Sequence, residues 1–314
     1  MNFASDFFIV ADSIAYNSTG LLFIVLGVFI LIRISGFPDL TVDGSFTIGA
    51  ALYSVCLVGN WGILPALIWA GVAGALGGLL TWTINVQLGV GKVVSGVLSM
   101  IILILVAPYI SGSTKGLLNV ISIYNEIDQI DASLTHAIIG NQPYQAHIIF
   151  SFVWWLIFVI VGTIVLQVLR TRKGLRLRYL GSAASPTLIP KSEQQWLLLF
   201  SLMGGNALVA IGGAIEAQRR GGYTNNMGIG ILLVALASLI LGESLIKSFR
   251  KRDYLTVKEY AVAVILGTVV YCIGVQAILA LKIDFVDLRL LTALFLLLLL
   301  GIAGRVYSSS TRLF

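Results

Sequence analysis

Residues 170–191 read RTRKGLRLRYLGSAASPTLIPK, a stretch with six Lys or Arg and no acid. Apolar runs flank it, at roughly 146–169 and 195–218. Each is long enough to cross a bilayer, which takes about 20 apolar residues. Cations crowded between two spans mark a cytoplasmic loop, because Lys and Arg beside a span bias it to stay inside. Gly174, Gly181, Pro186 and Pro190 interrupt the stretch, so it is expected to fold as something short and shaped rather than as one long helix.

Composition extends that reading to the whole chain. The 314 residues are 58% hydrophobic and 11% charged, with a mean hydropathy of +0.98. A water-soluble surface needs far more charge. Period-two alternation is absent, which argues against a membrane barrel. The fold class expected is all-α: a polytopic transmembrane bundle, treated as a single domain over 1–314. The net charge of +6 sits in the loops, so it reads as a determinant of topology and not as a nucleic-acid surface. Cys56 and Cys272 lie in apolar runs and read as small core residues. His136 and His147 lack ligand spacing, so no metal site is expected. No basic region precedes the first apolar run, so a cleavable signal peptide is not expected.

Nine spans are expected, near 12–33, 38–58, 61–82, 93–111, 146–169, 195–218, 225–245, 260–281 and 290–307. Asp12 and Asn17 could divide the first, giving ten segments. With the N-terminus outside and the C-terminus inside, fifteen Lys and Arg face the cytoplasm and five face outward. The outer side then holds one large loop, 111–145, with Glu126, Asp128 and Asp131 against Lys115. The basic loop, taken as 170–194, is cytoplasmic. No GxxxxGK[ST] sequence occurs, so any nucleotide must be handled by another chain and the protein is not expected to be an enzyme.

Polar groups inside a membrane are costly and need a reason. One cluster, FPDLTVDGSFTIG at 37–49, opens the second span with Phe37, Asp39, Thr41, Asp43 and Ser45. A second, GGYTNNMGIG at 221–230, opens the seventh with Tyr223, Asn225 and Asn226. Irregular backbone at membrane depth survives where it lines a cavity or is covered by protein. Both clusters therefore read either as walls of a translocation path or as capped turns whose polar groups satisfy helix N-termini. Two interrupted spans point weakly to an internal repeat around a path. Ser95 and Asn206 join the path candidates.

Lys92 reads as a snorkelling anchor. Gly91, Ser95, Gly96 and Ser99 read as a close-packing face, and so do Gly71, Gly74, Gly77 and Gly78, where Gly74 and Gly78 form a GxxxG. Glu216 with Arg220 and Glu243 with Lys247 are helical ion pairs of the favourable orientation. Arg219 and Arg220 face outward against the charge bias and are candidates for contact with an acidic partner or a solute carboxylate.

Five segments carry a family resemblance: FPDLTVDGSFTIGAA at 37–51, SGVLSM at 95–100, GLRLRYLG at 174–181, NALVAIGGAIEAQ at 206–218 and NMGIGILLVALASLILGESL at 226–245. In this order they resemble the permease subunits of bacterial ABC importers of the branched-chain amino acid and ribose type, closest to the tryptophan/tyrosine import permeases. The resemblance implies a bacterial inner-membrane permease with a second permease copy, two ATPase subunits and an external solute-binding protein. ATP and Mg would sit on the ATPase, with no cofactor on this chain. It implies an amino acid as solute, aromatic where the subfamily is the guide.

The resemblance also implies a coupling role for Gly181 to Ser192, where Ser185 could be an N-cap with Pro186 in the first turn. The residues expected to meet the ATPase are Gly174, Arg176, Arg178, Leu180, Gly181, Ser185 and Leu188. Where family members carry an acid and an asparagine after the glycine, this chain has Ser182 and Ala183, and Pro190 falls inside the expected helix. The alternative is an ion-coupled secondary transporter. That mechanism needs carboxylates or histidines in mid-span, whereas those here cluster near span ends.

Overall fold

The computed structural model describes residues 3–112, 147–182, 188–250, 254–280 and Leu297. All regular structure among them is helical, in nine helices. They are α1 (Phe3–Val28), α2 (Thr41–Val58), α3 (Ile63–Trp82), α4 (Lys92–Ser111), α5 (Ile148–Arg170), α6 (Arg172–Ser182), α7 (Lys191–Arg219), α8 (Ile231–Arg250) and α9 (Val257–Ala280). Eight of these, all but α6, are long and apolar enough to cross a membrane. The expected polytopic bundle is thus present. The span expected at 290–307 and the outer loop at 111–145 fall almost wholly outside the described residues.

Asp12 and Asn17 do not divide α1. Asn17 folds its amide back onto the Ser13 carbonyl at 2.7 Å, and the helix runs on into a π-helical turn at Phe29–Ile34. A second π turn, Thr83–Gln87, ends α3. The seventh span starts at Ile231, six residues later than expected. Gly221, Gly222, Asn226 and Gly230 have positive φ, which no α-helix accommodates.

The chain divides into two compact units. The larger holds 20–120 and 162–236. Its core is α7 packed on α2 and α3, with α4 against α2. Small residues make this possible. A Cβ on Gly74 would lie 2.5 Å from the Ala210 methyl, and one on Gly78 would strike the Leu202 carbonyl. The GxxxG of α3 is therefore a seat for α7, as its spacing suggests. Gly27 of α1 and Gly205 of α7 face each other likewise, with a Cβ on Gly27 reaching 2.6 Å from the Gly205 oxygen.

The smaller unit holds 1–19, 121–161 and 237–314. In it, the carboxylate of Asp12 accepts the His147 backbone N–H at 3.0 Å, and Tyr16 stacks on His147 with ring centres 4.2 Å apart. Gln276 donates to the Ser13 hydroxyl at 2.6 Å. Gly242 and Gly267 let α8 and α9 meet backbone to backbone. Thr256 and Glu259 form a reciprocal capping box at the start of α9. Cys272 is buried here and Cys56 is buried in the larger unit, both without a disulfide and both as core residues.

Candidate functional site

The first cluster of the sequence folds into a buried polar seam. Asp39 lies two residues before α2, and its Oδ1 accepts the Thr41 backbone N–H at 2.9 Å. Its Oδ2 accepts from the Asn206 amide at 2.7 Å. Asn206 also donates to the Leu202 carbonyl at 3.0 Å, and its Oδ1 accepts from Ser45 at 2.7 Å. Thr41 meets Thr81 of α3, hydroxyl to hydroxyl, at 2.5 Å. Phe37, Asp39, Thr41, Ser45, Ser95 and Asn206 are all fully buried. Buried polar groups persist when their hydrogen-bonding capacity is filled, and every polar atom of the Asn206 side chain is engaged. The seam joins α2, α3 and α7 side by side.

Asp43 connects the two sequence clusters. Its Oδ2 accepts the Gly230 N–H at 2.9 Å and its Oδ1 accepts the Leu232 N–H at 2.8 Å. A carboxylate from α2 thus caps the N-terminus of α8, a place where negative charge is favoured. Gly230 has φ +83°, so glycine suits this capping position. Gly228 lies against Thr47 and the Asp43 carbonyl, where any side chain would collide. Asp39 and Asp43 both make the capping contacts that one reading of these clusters expects. Tyr223 is buried, and burial pushes its phenol above the usual range. Asn225 and Asn226 are exposed.

At the far end of α7, Glu216 is only 7% exposed and collects two guanidinium groups. Arg219 Nε donates to Oε2 at 2.8 Å. Arg219 Nη2 and Arg220 Nε both reach Oε1 at 2.5 Å. The spacing predicts the Arg220 pair as a weak exposed one. The structure adds Arg219 and buries the carboxylate, so losing the cations would strand a charge. The Arg220 side chain stays 49% exposed and that of Arg219 20%. Beside them Tyr53 donates to Gln218.

The basic segment is helical over Arg172–Ser182, and residues 183–187 of the expected coupling element lie outside the described residues. Gly174, Arg176, Arg178, Leu180 and Gly181 lie on α6. Arg176 pairs with Glu193 in the first turn of α7. Pro190 precedes α7 as its N-cap residue, so it interrupts no helix. Leu188 is 81% exposed. Ser185 and Pro186 lie outside the described residues. Reading the sequence misses Thr81 and Arg219 as partners; a lone threonine in a glycine-rich span carries no signal of its own.

Eight apolar spans among the described residues, a buried polar seam joining three of them and a basic helix between two spans are features of a multi-pass membrane permease. The chain matches the family described as branched-chain amino acid transport system, permease component, over residues 10–303, and it belongs to that family. It is 28% identical over 290 residues to the tyrosine transport system permease protein of Clostridioides difficile (strain R20291), covering 92% of this chain and 90% of that one. It is 27% identical over 288 residues to an uncharacterised protein of Rickettsia prowazekii (strain Madrid E), covering 90% of this chain and 93% of that one. No solved structure is a significant match.

Proposed function

We propose that this chain is the translocation subunit of a binding-protein-dependent ABC importer for an amino acid, aromatic in kind. The observation that carries the reading is the end-to-end similarity to a tyrosine transport permease, which leaves no large part of either chain unaccounted for. In this reading the chain sits in a bacterial cytoplasmic membrane, N-terminus outside and C-terminus inside. Two copies enclose the path, two ATPase subunits bind ATP and Mg, and an external binding protein delivers the solute to a mouth bearing Arg219 and Arg220. The chain performs no chemistry. It holds two packings of similar energy, and the ATPase biases them.

The path is assigned to the Phe37–Ser45 segment, with Ser95 and Asn206 behind it, and to the turn bearing Tyr223, Asn225 and Asn226. Asp43 joins those segments in one place. The ATPase is assigned the segment from Gly174 to Leu188, where Leu188 leaves an apolar side chain open.

The test is uptake by proteoliposomes holding the permease with its ATPase partner and with the binding protein added outside. Labelled tyrosine should accumulate only with ATP inside and should stop with vanadate. Accumulation driven by an ion gradient without the ATPase would overturn the reading in favour of a secondary transporter. Leu188→Asp should abolish uptake while the chain still inserts; undiminished uptake would remove the loop assignment.

A further inference from the structure

We propose that Gly36 and Gly181 form a rigid backbone joint through which the basic helix α6 moves the segment 37–43, which carries Asp39 and, in the first turn of α2, Asp43. The inference rests on the functional reading above and names a mechanical part within it. A Cβ on Gly36 would lie 2.6 Å from the Gly181 oxygen and 3.0 Å from its Cα. A Cβ on Gly181 would run into the Ile34 carbonyl. The two backbones therefore touch with no side chain between them. Gly36 holds φ +61°, so an L-residue there would be strained even with room to spare.

Both sides of the joint are stiff. On one side, the π turn of α1 runs directly into Gly36. Ser35 N–H reaches the Ile30 carbonyl at 2.9 Å and Phe37 N–H reaches the Leu31 carbonyl at 3.0 Å. The Ser35 hydroxyl adds a bond to the Leu31 carbonyl at 2.6 Å. Three residues beyond Gly36 stands Asp39, tied to Asn206, and four further stands Asp43, tied to the start of α8. On the other side, Gly181 belongs to α6, which Gly174 seats against Leu169 and which Arg176 ties to Glu193. Side chains absorb small displacements by changing rotamer, whereas touching backbones do not. A shift of α6 thus passes directly into residues 37–43, where packed elements have discrete arrangements and do not deform smoothly. Gly36 and Gly181 are positioning residues; neither needs to meet the solute.

The test wedges the joint in one variant and staples it in another, using the full permease–ATPase assembly in proteoliposomes with both tyrosine uptake and ATP hydrolysis measured. Gly36→Ala inserts a methyl into the contact from the side away from the segment assigned to the ATPase. It should cut uptake at least tenfold while hydrolysis stays within about twofold of the parent, a split that a merely structural defect would not produce. For the staple, Ser35→Cys with Ser182→Cys in a Cys56→Ser/Cys272→Ser background is bridged by a short bis-thiol reagent that dithiothreitol reverses. A joint that stays closed through the cycle should retain uptake when stapled.

Unchanged uptake in Gly36→Ala would overturn the proposal. So would a staple that stops uptake until reduced, because the contact would then have to open in each cycle. If Gly36→Ala does not accumulate, the staple decides alone by the same criterion. Failure of the functional reading shows separately, as parent protein that takes up nothing with ATP.

Discussion

Helices α8 and α9 begin in opposite ways. The start of α9 is capped by its own neighbours, with Thr256 and Glu259 three residues apart and exchanging bonds. The start of α8 is capped by Asp43, a residue 187 positions away in sequence. A local cap holds its helix whatever the rest of the chain does. A remote cap holds α8 only while α2 stays beside it. The first is a stability device, and the second is a dependence of one helix on the position of another. In the proposed import cycle the second kind belongs at the places that move.

The sharpest way to break this comparison is Asp43→Ala. It leaves the Gly230 and Leu232 N–H groups without their acceptors in partly buried surroundings, and should cost about 3 kcal/mol. Thermal unfolding in detergent would register the loss, and hydrogen exchange should rise at 230–234. An unaltered melting curve would show that the cap is incidental. Asn206→Leu tests the other long-range link by removing the bonds to Asp39 and Ser45. It should cost about 2 kcal/mol, since Asp39 loses the Asn206 amide and keeps only Thr41, by side chain and backbone, as a donor.

Asp43→Asn sharpens the first result. One acceptor oxygen remains but the charge is lost, so the cost should be about half that of alanine, read on the same melting curve. On the local side, Glu259→Ala should cost under about 1 kcal/mol, with faster exchange confined to the first turn of α9. Glu193→Gln removes an exposed pair with Arg176 and should change stability by less than about 0.5 kcal/mol.

Much of the fold is legible in the residues. Runs of twenty apolar residues dictate spans, and all of those expected within the described residues are there. The Gly74/Gly78 spacing signals a helix seat, because small residues three and four apart leave a groove. The boundary at 225 is less legible. Asn226 in a left-handed conformation delays α8 by a turn, and asparagine is tolerated equally well inside a helix end. The basic segment shows a similar limit. Its glycines and prolines announce breaks without fixing where its helix lies.

The sequence by itself determined that this chain crosses a membrane many times and where its helices can approach closely. Hydropathy and side-chain size are properties of each residue and survive any arrangement. Only the tertiary structure decided that Asp43 serves α8, that Asn206 bridges Asp39 and Ser45, and that Gly36 lies on Gly181. Those depend on which helices become neighbours, and hydrogen bonds between distant segments leave no periodicity behind in the chain.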